Sequence, residues 1–314
     1  MEERTVTVVI PTYRPGGKFR ELMRRLDKQT VRPEQILVIN TEEAYFHPED
    51  VSCMANVSVI HIGKGAFDHG GTRDMAARLA DTELVVFMTQ DAVPADGYLL
   101  ERLIRPFQNS QVAATYARQL PGTDSGILET YTRDFNYGPE SCVKTKKDLD
   151  RLGIKTFFCS NVCAAYRRSV YLELGGFEKH TIFNEDMIFA GKLIQAGWGI
   201  AYCADARVYH AHNYSGFQQF QRNFDLGVSQ ADHPEIFGMA KSEAEGIRMV
   251  RQTAARLAGT GRMLPLIRFF WQSGCKWMGY RLGKGYRKLP RGVILRCTMN
   301  PGYWEQKMEK QPEK

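Results

Sequence analysis

Short apolar runs alternate with amphipathic segments through the first third of the chain. The segments 5–10 and 84–88 are apolar almost throughout, and 35–39 and 57–61 have the same character. Residues 18–28 instead place their apolar side chains on one face of a helix. Strands that are apolar at most positions are typical of a parallel sheet covered on both faces. The order of these segments predicts an α/β fold with a doubly wound, mostly parallel, Rossmann-like sheet in the first ~110 residues.

The pattern becomes less regular in the middle of the chain. Residues 112–118, 157–166 and 200–203 have the composition of further strands. Residues 185–195 have helical spacing, and a glycine two positions later is typical of a helix end. Residues 121–155 are polar and rich in turn-forming residues, which predicts a long irregular loop.

The stretch Phe67–Ala92 carries the densest chemistry. Gly70 and Gly71 allow a sharp turn and a close approach to a ligand, and Arg73 adds a cation where the next helix begins. Asp91 follows an apolar strand, at the edge of an open α/β sheet where ligands bind. A helix N-terminus with arginine suits a diphosphate, and an aspartate suits a bridging divalent cation. The stretch therefore indicates an enzyme of nucleotide sugars, although Asp91 alone also fits a simple turn residue.

Two further clusters carry candidate chemistry. Glu185 and Asp186 stand at a predicted helix start, where the helix dipole favours an ionised carboxylate that can accept a proton. Helix capping by Asn184 and its neighbours is the alternative interpretation. His210 and His212 follow a predicted strand in His-x-His spacing, which puts both rings on one face and is frequent among metal ligands. A pair of histidines without a metal is the alternative.

Positive charge is concentrated in the last quarter of the chain. Residues 241–314 hold 16 Lys/Arg and 5 Asp/Glu, whereas residues 1–240 have a net charge of −4. Between Arg262 and Arg296 there are nine basic residues and no acidic one, interleaved with aromatic residues. This composition suits a helix that lies on an anionic membrane. Packing of the aromatic face on the catalytic domain is the alternative, and the absence of any recognition motif disfavours nucleic acid.

Composition excludes several other classes. Hydrophobic residues make up 43% of the chain and charged residues 25%, as in ordinary globular proteins. No apolar run approaches the ~20 residues of a membrane-spanning helix, and the acidic start is unlike a signal peptide. Seven scattered cysteines indicate reduced thiols. Cys159 and Cys163 lack a second pair to complete a zinc site. A cytoplasmic protein is expected.

The motifs together resemble a known family. In chain order they are VVIPTYR, GGTRD, TQDA, GGFEK, NEDMIFAGKLIQAGW and HAHNYS. Over residues 5–230 the chain is similar to the inverting family 2 glycosyltransferases, which have the GT-A fold. HGGTRD, TQDA and HAHNYSGFQQFQRNFDLGV are similar to bacterial rhamnosyltransferases of O-antigen and cell-wall polysaccharide synthesis. The resemblance implies a GT-A catalytic domain at 1–235, followed by a basic, aromatic helical extension at 236–314.

The resemblance also implies roles for individual residues. The nucleotide-sugar site would comprise Pro11, Thr12, Tyr13, Arg14, Glu42, Gly71, Arg73, Gln90 and Asp91. Asp91 corresponds to the last acid of the family's Asp-x-Asp motif and would hold Mg²⁺ or Mn²⁺ together with His210 or His212. Asp186 corresponds to the catalytic base, and Glu185 would orient the acceptor or the base.

The sequence departs from the family pattern at two places. Thr89 stands where the first acid of Asp-x-Asp is expected, so that metal binding rests on fewer carboxylates. Many relatives carry an aspartate after the second strand, where this chain has Asn40-Thr41-Glu42. Glu42 is the expected substitute.

The resemblance implies a specific reaction. L-rhamnose would move from dTDP-rhamnose to a glycan or a polyprenyl-diphosphate-linked acceptor during bacterial cell-surface polysaccharide synthesis, at the inner face of the cell membrane. Alternatives are the same fold with a UDP-sugar donor, or a non-catalytic relative that binds glycans or acts as a scaffold. A sugar-phosphate nucleotidyltransferase is disfavoured, because its Gly-Thr-Arg loop would directly follow the first strand.

Overall fold

The computed structural model describes residues 4–52, 54–122, 125–239, 243–259, 261 and 263–309. These residues form two compact units. The first comprises Met1–Asp124, Arg133–Lys179 and Glu185–Ala211. The second comprises Ser125–Thr132, His180–Asn184 and His212–Lys314. No helix among the described residues has the length and apolar character needed to cross a membrane.

The strands all belong to the first unit. They are β1 (Val6–Tyr13), β2 (Gln35–Thr41), β3 (Val57–Ile62), β4 (Leu84–Met88), β5 (Val93–Pro94), β6 (Val112–Leu120), β7 (Cys142–Lys144), β8 (Cys163–Arg167) and β9 (Gly199–Tyr209). The helices are α1 (Gly17–Leu26), α2 (His69–Leu79), α3 (Leu99–Ile104), α4 (Ile127–Asn136), α5 (Leu149–Leu152), α6 (Arg168–Glu173), α7 (Glu185–Gln195), α8 (Gly216–Asp232), α9 (Pro234–Phe237), α10 (Glu243–Ala258), α11 (Met263–Lys284), α12 (Arg291–Cys297) and α13 (Pro301–Glu309).

One mixed sheet organises the first unit. Its strand order is β3-β2-β1-β4-β8-β6-β9-β5, and β7 pairs with β9. The strands β1 to β4 are mutually parallel, which confirms the prediction for the start of the chain. Beyond β4 the sheet is mixed, because β8 runs antiparallel to both of its neighbours while β6 and β9 are parallel. The carboxyl ends of β1, β2 and β4 therefore lie at one edge.

Apolar burial explains why the early elements form. The helix α1 buries Phe19, Leu22, Met23 and Leu26, the face expected from its spacing. Every residue of β4 is buried, in agreement with its continuous apolar run. Side chains from these elements pack in one hydrophobic cluster with β1 and β2. The cluster holds the strand ends that carry the candidate chemistry.

Two expectations for the middle of the chain are wrong. Residues 121–155 are not one irregular loop, because they contain α4, β7 and α5. In α4 the apolar residues Ile127, Tyr131 and Phe135 recur every four positions, a helical spacing that the polar surroundings obscured. The expected strand 157–166 is also shorter, because a 3-10 helix extends to Phe157 and the strand begins only at Cys163.

The second unit is built around a close pair of helices, α8 and α11. A side chain at Gly279 would overlap the carbonyl oxygen of Phe220, and one at Gly283 would overlap that of Phe224. Only glycine allows the two backbones to approach this closely. The second unit begins again at His212, so α8 belongs to it together with the C-terminal helices. The functional boundary at residue 235 stays a prediction.

Candidate active site

The ends of β1 and β4 are joined by a side chain. Gln90 accepts a hydrogen bond from the backbone N–H of Tyr13 at 2.9 Å and donates to the carbonyl of the same residue at 3.1 Å. The glutamine amide thus continues the parallel pairing beyond β4. Gln90 was predicted to bind the nucleotide sugar, and the structure engages its amide with the protein backbone. It shapes the edge of the sheet at which Pro11 and Tyr13 lie.

A buried polar ladder crosses the ends of the first three strands. Thr12 donates to the amide oxygen of Asn40 at 3.1 Å. The Asn40 amide nitrogen donates to the carbonyl of Glu42 at 3.2 Å and approaches Nδ1 of His61 at 3.0 Å. Asn40 is fully buried and joins the ends of the strands, whereas Glu42 is partly exposed; its contact with the nucleotide stays a prediction. Glu42 adopts a left-handed backbone conformation with φ of 62°.

An aromatic and cationic group lies just beyond this ladder. The rings of Tyr13 and Tyr45 are nearly perpendicular, with centroids 6.0 Å apart. Arg14 donates to the Tyr45 hydroxyl at 2.7 Å, and its guanidinium lies 4.1 Å from the centre of that ring. All three side chains are exposed. Exposed aromatic faces beside a cation suit a nucleobase; Tyr45 was not singled out from the sequence.

The HGGTRD segment is helical from His69 onward, which corrects the expectation of a sharp turn at Gly70 and Gly71 before a helix that begins at Arg73. It forms the first turns of α2, and the Asp68 carboxylate caps that helix by accepting from the N–H of Gly71. Gly70 is required because a side chain there would overlap the carbonyl oxygen of Glu178. The close backbone of Glu178 thus explains Gly70, and the helix cap by Asp68 involves Gly71. The role of Gly71 in nucleotide binding stays a prediction.

Arg73 is buried beside Glu185, the first residue of the acidic pair Glu185 and Asp186. Its guanidinium lies 3.2 Å from a carboxylate oxygen of Glu185, and the two side chains are only 7% and 10% exposed. It also donates to the carbonyl of His69 at 2.9 Å. Nε of Arg73 is buried and has no hydrogen-bond partner within the described part of the chain. The sequence interpretation, in which Arg73 contacts the diphosphate, is untested by these contacts.

Asn161 touches both acids at the start of α7. Its backbone N–H donates to Asp186 at 3.1 Å, and its side-chain amide donates to Glu185 at 3.4 Å. Tyr166 holds Asn161 in turn, by donating to its amide oxygen at 2.9 Å. The N–H of Met187 gives Asp186 a second donor at 2.8 Å. Sequence reasoning missed Asn161, because nothing local marks a residue 25 positions before its partner.

The pKa values of the neighbouring carboxylates Glu185 and Asp186 are shifted in opposite directions. Burial acts to raise the pKa of Glu185, but the charges of Arg73 and His69 outweigh it, so its pKa is lowered. Burial, and then the charge of Glu185, raise the pKa of Asp186 above its usual range. A pair of carboxyl groups with pKa values pushed apart is typical of acid–base catalysis. Glu185 is thus the ionised member and Asp186 the stronger base.

Asp91 and His210 form a second candidate cluster. Asp91 lies in a turn that closes where the N–H of Ala92 donates to Thr89 at 3.0 Å. Its carboxylate is 3.6 Å from Nε2 of the buried His210. The Thr89 hydroxyl is buried and has no hydrogen-bond partner among the residues described. A carboxylate and an imidazole nitrogen at this distance are donors that fit a divalent cation.

Comparisons with known proteins identify the family. The profile described as "Glycosyl transferase family 2" matches residues 7–175. The O-antigen chain rhamnosyltransferase RfbN of Salmonella typhimurium is 40% identical over 304 residues, which is 95% of this chain and 96% of the relative. The O-antigen chain rhamnosyltransferase WbaN of Salmonella anatum is 41% identical over 304 residues, 95% of each chain. The chain belongs to glycosyltransferase family 2.

A solved structure bears on the fold. A mannosyltransferase from Pyrobaculum calidifontis, in complex with GDP-Man and Mn²⁺, is 16% identical and has a TM-score of 0.55. The match covers 98% of this chain and 89% of that one. The GT-A fold class and the glycosyltransferase activity expected from the sequence are thereby confirmed. The roles of individual site residues are untested by these comparisons.

Proposed function

We propose that this enzyme transfers L-rhamnose from dTDP-rhamnose to a glycan or a polyprenyl-diphosphate-linked acceptor in bacterial cell-surface polysaccharide synthesis. The observation that carries this proposal is the 40% identity to an O-antigen chain rhamnosyltransferase along 95% of the chain. A match of this length spans α2, the pair Glu185 and Asp186, and the His-x-His segment. The site geometry supports the same class of reaction, because it combines an activated carboxylate with a candidate cation site.

Asp186 is the catalytic base in this proposal. A sugar hydroxyl is a weak nucleophile near neutral pH, so a positioned carboxylate must take its proton as the oxygen attacks. The raised pKa of Asp186 makes it a stronger base than an ordinary aspartate. The acceptor oxygen bonds to the anomeric carbon, the bond to the nucleoside diphosphate breaks, and the configuration inverts. Asp186 retains the proton, and the diphosphate leaves with the bonding electrons.

Glu185 has a different role in the same reaction. Its lowered pKa and its ion pair with Arg73 keep it ionised. An ionised neighbour keeps the pKa of Asp186 raised, and the Glu185 carboxylate would orient an acceptor hydroxyl or the base. Asn161 fixes the spacing of the two groups, because it donates to both.

Asp91 and His210 would hold the metal ion. His212, two positions along the chain from His210, is the further candidate ligand. Mg²⁺ or Mn²⁺ bound there would stabilise the charge that develops on the leaving diphosphate. Thr89, Glu42 and the group of Tyr13, Arg14 and Tyr45 would contact the nucleotide.

The basic extension would hold the enzyme at an anionic membrane. The helix α11 exposes one long apolar stripe, made of Met263, Leu264, Ile267, Phe270, Trp271, Trp277, Met278 and Leu282. Arg268, Arg281 and Lys284 are exposed on the same helix, which contains no acidic residue. Apolar and basic side chains on one helix match lipid tails and anionic headgroups. Membrane binding would bring the enzyme to the surface that carries a lipid-linked acceptor.

The first experiment is a thermal-shift panel of donors. dTDP-rhamnose, UDP-glucose, UDP-N-acetylglucosamine and GDP-mannose are each added with and without Mn²⁺, because a ligand that binds the folded state raises its melting temperature. We expect metal-dependent stabilisation by dTDP-rhamnose. Stabilisation by a UDP-sugar alone would overturn the rhamnose assignment. The absence of any response would favour a non-catalytic relative.

A further inference from the structure

His210 is contacted on both sides of its ring. Nε2 lies 3.6 Å from the Asp91 carboxylate, and Nδ1 lies 3.0 Å from the side-chain oxygen of Gln119. Both His210 and Gln119 are buried, at 7% and 3% exposure. Gln119 lies on β6 and is 91 positions away in the sequence. The two contacts place His210 between a candidate metal ligand and a neutral amide.

Arg133 determines which way the Gln119 amide points. Its guanidinium donates to the same amide oxygen that faces His210. A guanidinium can only donate, so the atom that it contacts must be the carbonyl oxygen and not the amide nitrogen. That oxygen can only accept, and Nδ1 of His210 must therefore carry the hydrogen. The neutral ring then has its lone pair on Nε2, toward Asp91.

The other end of the amide is equally constrained. The Gln119 nitrogen donates to the hydroxyls of Tyr137 and of Ser160, the latter at 3.0 Å. Burial raises the pKa of Tyr137, which keeps its phenol protonated at neutral pH. Both hydrogens of the amide and both lone pairs of its oxygen are consequently used. Rotation of Gln119 would break four hydrogen bonds at once.

We propose that Gln119 is a positioning residue that holds His210 in the Nδ1–H tautomer, so that Nε2 and the Asp91 carboxylate form a ready pair of metal ligands. Without this constraint, His210 could carry its hydrogen on Nε2 and donate it to Asp91. That hydrogen bond would occupy both ligand atoms and compete with the metal. The proposal rests on the proposed metal site, and its test separates the two.

The first measurement needs no variant and no metal. Nitrogen-15 NMR of histidine-labelled protein distinguishes a protonated ring nitrogen from one with a free lone pair. We expect Nδ1 of His210 to carry a hydrogen in the metal-free wild type. Gln119→Leu should shift the ring toward the Nε2–H tautomer. A wild-type ring with Nε2 protonated and Nδ1 bare would overturn the proposal directly.

The second measurement is the affinity for Mn²⁺, determined by titration calorimetry. Gln119→Leu should weaken binding roughly 10- to 100-fold, as for other residues that orient a metal-binding histidine. Gln119→Glu keeps an acceptor for Nδ1 and should restore binding. The matched control is Gln111→Leu, the same change at an exposed glutamine next to β6, which should bind as the wild type does.

The outcomes are distinguishable. Wild-type affinity in Gln119→Leu would overturn the positioning role while leaving the metal site in place. Failure of Gln119→Glu to restore binding would also count against it. A wild type that has the expected tautomer but binds no Mn²⁺ would overturn the metal site itself, and the assigned purpose of Gln119 with it.

Discussion

Arg73 and Glu185 form an ion pair at 3.2 Å that is almost completely shielded from water. Breaking a buried pair by removing one partner leaves an uncompensated charge, which costs about 3–5 kcal/mol. We therefore expect Arg73→Met to lower the free energy of unfolding by about that amount, as measured by urea denaturation at neutral pH. The lost positive charge should also raise the pKa of Glu185.

A double-mutant cycle provides the control for this ion pair. Adding Glu185→Gln to Arg73→Met removes the stranded charge, so the double variant should recover much of the lost stability. A loss of stability in the double variant equal to the sum of the losses in the two single variants would show that the pair contributes no coupling. Arg105→Met, which breaks the exposed ion pair between Arg105 and Asp205, offers a comparison for which little loss of stability is expected.

Replacement of Asp186 tests the base directly. Asp186→Asn keeps the size of the side chain but cannot take a proton, so we expect kcat to fall at least about 100-fold. Donor binding should be nearly unchanged, which a thermal shift with the nucleotide would show. Wild-type kcat in this variant would contradict the assignment. Glu185→Gln is the neighbouring control, for which a smaller loss is expected.

The raised pKa of Asp186 makes a prediction about pH. The base must be ionised to act, so activity should fall as the pH is lowered through this raised pKa, above the range of an ordinary aspartate near 3.9.

The effect of the raised pKa of Asp186 on stability has the opposite sign. Because the folded state holds this proton more tightly than the unfolded chain, its stabilisation is lost as the pH rises toward the folded-state pKa. Asp186→Asn should consequently melt at a higher temperature than the wild type at neutral pH. Equal melting temperatures would contradict the electrostatic account.

The sequence predicted the local elements well where one physical cause dominated. The bounds of β4 were correct because a continuous apolar run has few alternatives, and those of α7 because a glycine with positive φ, Gly197, closes the helix. The HGGTRD segment was assigned wrongly because glycine pairs usually mark loops. Here the cap by Asp68 and the close backbone of Glu178 decide the conformation.

The partners of the predicted site residues could not be predicted. Asp186 and Asp91 were found from motifs, but Asn161 and Gln119 contact the site from distant positions in the sequence. Tyr45 joins Arg14 only because β1 and β2 are adjacent. Such contacts depend on the packing of strands, which periodicity in one sequence does not specify. Motifs therefore identified the candidate reacting side chains, Asp186 and Asp91. The structure added the residues that contact the site from elsewhere in the chain, such as Asn161 and Gln119.

The proposed metal centre can be tested by its effect on donor binding. In the wild type, Mn²⁺ should increase the melting temperature gained with dTDP-rhamnose. Asp91→Asn and His210→Ala should each remove this metal-dependent part, because each removes a ligand. Asp81→Asn alters an exposed aspartate just before β4 and serves as the control. Retention of the full metal effect in both site variants would place the ion elsewhere.

The exposed stripe of α11 predicts binding to anionic vesicles. Trp271 and Trp277 are 68% and 64% exposed, and burial of each ring in the interface should favour binding. We expect the double change Trp271→Ser and Trp277→Ser to weaken binding to phosphatidylglycerol-containing vesicles at least about tenfold. Co-sedimentation measures the affinity, and a blue shift of tryptophan emission reports insertion in the wild type.

Two comparisons make this prediction specific to the stripe and its charge. Tyr98→Ser removes an aromatic ring that is 48% exposed in the first unit, and it should leave vesicle binding unchanged. Purely zwitterionic vesicles, or high salt, should weaken binding of the wild type, because attraction of Arg268, Arg281 and Lys284 to the headgroups is screened. Equal binding to neutral and anionic vesicles would show that charge contributes nothing. Wild-type binding by the tryptophan variant would show that α11 is not the segment in contact with lipid.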